Sequence, residues 1–471
     1  MKNIPEWALK WKAPGIEFQQ RGNRIYAYRI TSRYNPKKKR AQKITLEYLG
    51  VVTPKGIIKV RDTPKKYSVY EYGNVEFIAS VSKDIIEFLK RHFDEWKEIF
   101  SIALLNVLYR TTIRTIKPLF EKTYLSRKFS DVSLSPKSVS NLYQTLGLKH
   151  AERLEFMREF IKRSEYLAID LSFIFSESER IKWLEYGYNS MEIFHKQLNF
   201  LLLFSLDNKE PVYLRTLPGS VRDVSTIKRM IKEVPNNAKM VFIADKGFFS
   251  KENVQTIEKE RIYYIIPLKR NLNIIRYPKS YEKFFKFRDR NIQYKDYRLG
   301  KRKLVVYLDV KLRAEEENTY LDLVSSEKRE FSGFKRMKEK FGTLAILTNL
   351  EKDPEEIYSL YKQRCEIEKA IDVMKNVLEA DKMYLRSEEH VRGYLFVMLV
   401  SLMLYYRILN ALRKANLINV VSVKELLTHL SKIYIVEDFR GEEILSEIPK
   451  RSRELLEKLK LENILRKFEN Q

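Results

Sequence analysis

The sequence predicts an α/β protein with a basic, β-rich N-terminal region, on three observations. Apolar runs at 167–175, 198–207, 211–215, 239–245 and 263–268 have the length of strands and need cover on both faces. Other stretches repeat apolar residues at three- and four-residue steps, the period of helices that could supply that cover. Ahead of both, 24–30 and 43–49 alternate polar and apolar residues around a turn of Asn35, Pro36, Lys37, Lys38, Lys39 and Arg40.

A chain of 471 residues has room for several domains and a large core, and 44% hydrophobic residues exclude a disordered chain. Lys and Arg number 89 against 62 Asp and Glu, a formal charge of +27 that selects a polyanionic partner. Nucleic acid is favoured over a membrane. The first residues lack the apolar core of a signal peptide, and the longest uncharged run, 393–406, is short for a bilayer and reads as a buried core helix. The single cysteine, Cys365, allows no disulfide within the chain and favours an intracellular compartment. The five His residues show no zinc spacing, and with 14 Gly and no glycine-rich phosphate loop a nucleotide site is disfavoured.

In chain order, 1–75 is the basic β region, whose cationic turn suits phosphate contacts. Residues 76–164 read as a helical DNA-binding domain. Helical spacing runs through 84–100 and 102–119. A short helix follows at 135–147, framed by Ser135 as N-cap, Pro136 in the first turn and Gly147 beyond its end, as a recognition helix would be. The first part of the sheet domain occupies 165–269, with a helix at 224–232. A β insertion follows at 270–342, with strands at 291–299, 303–310 and 319–324. The second part, 343–415, holds a sixth strand at 343–348 and helices at 357–376 and 387–412. The tail, 416–471, reads as helical and charged.

Helix 357–376 opens on Asp353 as N-cap, Pro354 in its first turn, and Glu355 and Glu356 at the positive end of its dipole. Ile357, Leu360, Ile367, Ile371, Met374 and Leu378 form a buried face, with Tyr361, Arg364, Glu368 and Lys375 together on its shoulder. Such a shoulder is ordinarily a solvated salt-bridge ladder. Two further acids argue otherwise: Asp170 lies inside an apolar strand and Asp245 ends another. A carboxylate among Ile, Leu and Phe is costly unless paired. Two of them facing Glu368 would repel and raise one another's pKa. A divalent cation removes that cost, and Mg2+ takes oxygen ligands while leaving positions for phosphate. Convergent acids in a basic chain with no other cofactor signal point to metal-dependent phosphoryl transfer on nucleic acid. Glu366 projects elsewhere, and Asp372, one turn beyond Glu368, is the rival acid on that face.

These residues resemble the insertion-sequence transposases of bacteria and archaea that carry a DDE triad, in the group marked by Tyr-x2-Arg-x3-Glu-x6-Lys. Tyr361, Arg364, Glu368 and Lys375 match that spacing. Asp245, Lys246, Gly247 and Phe248 match the group's Asp-x-Gly-Phe/Tyr, and Asp170 matches the first acid. Pro218, Gly219 and Asp223 look like the family's Pro-Gly-x-x-x-Asp turn. The resemblance implies a ribonuclease H-like catalytic domain with a β insertion. In it Asp170, Asp245 and Glu368 would be catalytic and hold two Mg2+ ions, with Mn2+ able to substitute, while Tyr361, Arg364 and Lys375 contact DNA phosphates. The implied reaction is cleavage at transposon terminal inverted repeats and strand transfer by the freed 3′-OH into target DNA. A homodimer on double-stranded DNA would perform it, in the cytoplasm of a prokaryote, associated with the nucleoid.

Two departures from the group stand out. Cys365 occupies a place where an aromatic residue is common. Some members hold a flipped base with a Trp in the β insertion, but Trp7, Trp11, Trp96 and Trp183 all precede it here, which leaves Tyr294, Tyr297 or Tyr307 for that role. The alternative readings are a domesticated DNA-binding protein and a ribonuclease H-like nuclease that cuts without joining.

Overall fold

The computed structural model describes residues 4–465 apart from 23, 37, 59–66, 110, 188, 190–192, 222–229, 235–239, 379–384, 386 and 439–440. The chain forms two compact units, one of residues 1–69 with 436–444, the other of 70–435 with 445–471.

In the first unit, β1 (Ile16–Arg21), β2 (Arg24–Asn35), β3 (Arg40–Thr53) and β4 (Gly56–Ile58) pair antiparallel in sequence order. Alternation puts Phe18, Ile25, Ala27 and Val52 on one side, where they close a small core with Ala8. The hairpin of β2 and β3 is longer than the alternating sequence alone suggests and runs on past this core.

The second unit is built on a ten-stranded sheet of β5 (Tyr166–Phe175), β6 (Glu185–Tyr186), β7 (Lys196–Ser205), β8 (Glu210–Pro218), β9 (Val241–Ile243), β10 (Tyr263–Leu268), β11 (Lys283–Phe287), β12 (Arg290–Leu299), β13 (Arg302–Asp309) and β14 (Thr343–Thr348). Across it the order is β11-β12-β13-β14-β10-β9-β5-β7, with β6 and β8 sharing the outer edge of β7. β5, β7 and β8 are antiparallel neighbours, while β9 runs parallel to β5 and β10 parallel to β9. The apolar runs are buried on both faces, as their composition requires. Every residue of β7 after Lys196 is buried.

Helix α6 (Glu388–Lys414) packs on β8 of the sheet, and α1 (Trp96–Leu108) and α2 (Pro136–Leu148) pack on α6. By length and composition α6 could cross a membrane, but 72% of its most apolar window is buried within the fold, as in a core helix. Its contact with α2 corrects the expectation for Gly147. Ser135 caps α2, accepting the Ser138 N–H at 3.1 Å, but Gly147 lies inside the helix and not beyond its end. A Cβ on Gly147 would meet the Glu389 carbonyl oxygen at 1.9 Å, and one on Gly393 the Tyr143 carbonyl oxygen at 1.9 Å. Close approach of two backbones requires both glycines. The buried face of α2, with Val139, Leu142, Tyr143 and Leu146, belongs to the core wall. The helical stretch 76–164 accordingly lies in the same compact unit as the sheet.

Other expectations shift for local reasons. The helix expected at 102–119 breaks after Leu108, where Tyr109 turns extended and its hydroxyl bonds Glu71. The stretch 319–324, expected as a strand, lies within α3 (Val310–Ser325). Asp309 caps this helix through the Leu312 N–H at 3.0 Å, and its Ala, Leu, Lys and Glu content outweighs the short alternation of Tyr320 to Val324. The strands of the insertion extend the main sheet through β14. The tail also carries short strands, Tyr434–Glu437 and Glu443–Leu445. Of the helix expected at 224–232, residues up to 229 lie outside the described residues, as do Arg222 and Asp223 of the Pro-Gly turn, while 230–233 are helical.

Gly393→Ala is expected to cost about 2 kcal/mol or more by forcing α2 and α6 apart. Denaturant unfolding of variant and parent measures it, and an unchanged midpoint would show that the two helices do not meet at this glycine.

Candidate active site

β9 pairs with β5 so that Ile243 lies beside Ala168. Asp170 lies two residues beyond Ala168 within β5, and Asp245 two residues beyond Ile243 just past the end of β9, which brings their side chains into one neighbourhood. Asp170 accepts the Leu171 N–H at 2.9 Å. At Ala244, whose N–H still bonds Ile265 in β10 at 3.2 Å, the chain leaves the sheet. The Asp245 carbonyl then accepts the Phe248 N–H at 3.0 Å, closing a single turn over Lys246–Phe248. Phe248 is buried, its carbonyl is held by the Asn253 side chain at 3.0 Å, and Ser250 caps the helix that follows. The Asp245 carboxylate is not consumed as a cap, since it makes no cap hydrogen bond to that turn.

The third acid arrives on the helix after β14. Instead of one continuous helix over 357–376 there are α4 (Pro354–Gln363) and α5 (Cys365–Asp372), joined at Arg364, and then a π turn over Val373–Val377. Asp353 occupies the N-cap position of α4, without a side-chain cap bond, and Pro354 its first turn. Ile357 and Tyr358 anchor α4, and Ile367, Ala370 and Ile371 anchor α5, which packs on β5 and β7. At the junction the Arg364 guanidinium reaches Asp170 at 3.8 Å and Asp245 at 3.8 Å, and it also bonds Glu368. Three carboxylates from three separate elements thus surround one cation.

The cluster is graded in depth. The Arg364 and Asp170 side chains are 13% and 21% exposed, Asp245 and Glu368 33% and 53%, so its open side is the one from which a ligand could enter. Burial pushes Asp170 up to about 7; the Arg364 charge and the Leu171 N–H pull the other way without cancelling it, and Asp245 and Glu368 add to the rise. Burial also works against the charge on Arg364, but Glu368, Asp245 and Asp170 outweigh it and hold the guanidinium above its ordinary value. Tyr361 is pushed up by burial, against the pull of the nearby Arg364 charge.

The donor set is all oxygen, which suits a hard divalent cation. Among the described residues, no three His, Cys, Asp or Glu side chains are already gathered tightly enough to hold an ion. In their place the three acids share Arg364, so a positive charge already stands where they converge.

The other residues singled out in the sequence fall into place around this centre. Lys375, in the π turn, lies over the Phe173 ring at 3.9 Å, on the strand that carries Asp170. Glu366 points away, to Lys369 at 2.6 Å and Arg413 at 3.2 Å. Asp372, the rival acid, accepts from Asn376 at 2.6 Å. Tyr307 is buried, with its hydroxyl on the Pro354 carbonyl at 2.6 Å and its ring packed on Tyr358, which removes it as a stacking surface for a base. Tyr294 packs partly into the same aromatic group, and Tyr297 is partly buried. Two contributors were missed in the sequence. Phe173 gave no signal beyond strand hydrophobicity, and Tyr358 was hidden among the apolar positions of its helix.

Over residues 161–404 the sequence matches the family of transposase DDE domains. No curated protein matches the chain. Among solved structures it is similar to a piggyBac transposase, seen by cryo-EM in a synaptic complex with hairpin DNA. The identity is 12% over 76% of this chain and 77% of that one, with a TM-score of 0.39.

The raised Asp170 has a consequence for stability. The folded chain keeps this proton to higher pH than the unfolded chain does, so stability is lost as pH rises from about 4 through about 7. Asp170→Asn removes the buried charge. The metal-free variant should be more stable than its parent at pH 8, by roughly 1–4 kcal/mol, and should lose that advantage at pH 4.5. Thermal unfolding at the two pH values checks this, and an equal difference at both would refute the assignment.

Proposed function

The chain belongs to the family of transposase DDE domains, and from that membership we propose that it is a divalent-metal-dependent enzyme that cuts DNA at transposon ends and joins the freed strand to target DNA. The observation that carries the chemistry is the convergence of Asp170, Asp245 and Glu368 on one guanidinium. Carboxylates that meet in this way without sharing a proton need a cation, and Arg364 supplies one in the absence of metal.

Asp170, Asp245 and Glu368 are the residues that would hold Mg2+, two ions in all, with Mn2+ able to take their place. Bound there, the metal supplies a Lewis acid for the phosphate and activates the attacking oxygen. Arg364 releases the acids as it turns its planar fork toward a DNA phosphate. Tyr361, buried beside Arg364, would meet the same phosphate backbone. Lys375 stands as a point charge beside Phe173, where it meets the backbone of the same strand of DNA. The spacing of Tyr361, Arg364, Glu368 and Lys375 supports membership of the Tyr-x2-Arg-x3-Glu-x6-Lys group. Asp170 on the first strand of the sheet, Asp245 at the end of β9 and Glu368 after the inserted strands support a ribonuclease H-like catalytic domain. The charge of +27 draws double-stranded DNA, both terminal inverted repeats and target. A homodimer would serve two ends at once, and the cytoplasm of a prokaryote, at the nucleoid, is where such a substrate lies.

The test incubates the protein and Mg2+ with labelled duplex carrying the inverted repeats that flank its gene. Joined products are expected; nicks alone would indicate a nuclease, and a metal-independent shift without cleavage a DNA-binding protein. Asp245→Asn should abolish cleavage while changing DNA affinity by no more than about twofold, equivalent to about 0.4 kcal/mol. Retained turnover would refute the metal assignment. Arg364→Ala leaves the carboxylates without their internal cation. Mg2+ should therefore raise its unfolding temperature, relative to its own metal-free form, more than it raises that of the parent. Equal shifts would mean that Arg364 and the metal do not compete.

A further inference from the structure

The hairpin of β2 and β3 extends beyond the core that its base requires. Ile25, Ala27 and Val52 are buried, but every residue of 31–34 and of 41–47 is exposed. Side chains on both faces of this ribbon therefore meet solvent, and no core fixes its register or explains its length. A two-stranded ribbon in water is at best marginally stable. A chain that keeps one with so little packing behind it has reason to present it to something else.

Its charge says what. Arg29, Arg33, Lys38, Lys39, Arg40 and Lys43 lie on the ribbon or at its tip, and Glu47 is the sole acid within 29–47. Lys43 also pairs with Glu17 of β1. The cross-strand pairs are Thr31 with Ile44, Arg33 with Gln42 and Asn35 with Arg40 on one face, and Ser32 with Lys43 and Tyr34 with Ala41 on the other. The first face thus gathers Arg33, Asn35, Arg40 and Gln42, whose guanidinium and amide groups can read base edges in pairs of hydrogen bonds. The Asn35 amide donates to Gln42 at 2.7 Å and holds the end of the ribbon together. Register shifts at Ala27/Tyr28 and Arg29/Ile30 add twist where the ribbon leaves its core. Two strands about 4.8 Å apart with side chains on both faces fit a major groove about 12 Å wide, and not a minor groove of about 6 Å.

We propose that this ribbon enters the major groove of duplex DNA, with Arg33, Asn35, Arg40 and Gln42 toward the bases and Lys38, Lys39 and Lys43 toward the phosphates. The proposal rests on the reading of the chain as a DNA-acting protein but not on its catalysis, so it is tested without metal.

Full-length protein in EDTA is titrated with a labelled pool of 30-base-pair random duplexes across a range of KCl concentrations. A variant carrying Arg33→Ala, Lys38→Ala, Lys39→Ala and Arg40→Ala should bind at least 100-fold more weakly at low salt, with the slope of log affinity against log salt reduced by about two, one for each of the two phosphate-facing lysines removed. All four side chains are exposed, so circular dichroism should match the parent. Unchanged affinity and slope would overturn the proposal. Equal competition by single-stranded RNA or by phosphatidylserine vesicles would overturn it in favour of a general polyanion surface. Duplexes selected from the pool are then methylated at guanine N7, in the major groove. Interference that disappears in an Arg33→Ala, Gln42→Ala variant places the ribbon in that groove, and none in the parent would exclude it. A protein that binds through its ribbon but cuts nothing with Mg2+ would refute the catalytic reading alone.

Discussion

The centre of the structure depends on one arginine holding three carboxylates together. Asp170 is set in a strand among apolar neighbours and is pushed up to about 7 by burial, so its charge is tolerated only because a cation lies beside it. Asp245 and Glu368 sit nearer the solvent and reach the same cation. Without Arg364 three acids would face one another across a partly dry pocket, and β5, the turn after β9 and α5 would be driven apart. An internal cation lets a metal-free chain fold with its acids already gathered.

That places a demand on where Arg364 is held, and the inserted strands meet it. Tyr307 on β13 packs against Tyr358 on α4 and donates its hydroxyl to the Pro354 carbonyl, while Phe285 and Phe287 close on the same Tyr358 ring. The first turns of α4 are thereby pinned to the insertion, and Ile367, Ala370 and Ile371 pin α5 to the other half of the sheet. Arg364 lies at the junction between two anchored segments. A distant substitution in the insertion, at Phe285 or Tyr307, can therefore reach the acids through α4 without touching them.

Much of this was legible in the sequence, for identifiable physical reasons. Strands buried on both faces announce themselves as short apolar runs, and β5, β7, β8 and β10 fell where such runs stand. Acids inside or at the end of those runs are too costly to be incidental, which is why Asp170 and Asp245 could be named before their geometry was known. Pairwise spatial facts were not legible. Gly147 reads as a helix stop by local rules, and only the path of α6 shows that it is a point of backbone contact. The stretch 319–324 alternates over too few residues to outweigh the helix formers and the Asp309 cap ahead of it. The resemblance to the signature implied a phosphate contact for Arg364. Its place among the acids requires three elements distant in the sequence to meet, and no local pattern encodes that.

The role of Arg364 among the acids and the phosphate contact proposed for it are physically compatible because they cannot be filled at once. A guanidinium bound to three carboxylates has little attraction left for DNA, and one bound to phosphate leaves the acids unneutralised. On the proposed reading, Asp170, Asp245 and Glu368 would hold the metal, and Arg364 would then be free to face a phosphate. In the structure, the cost of assembling like charges is met by a side chain. On the proposed reading this matters for a chain of such high positive charge, which would attract DNA at many places besides the intended ends. Long-range attraction brings DNA to the protein indiscriminately. On the same reading, a centre whose arginine is occupied by its own acids adds a local condition that this attraction cannot satisfy.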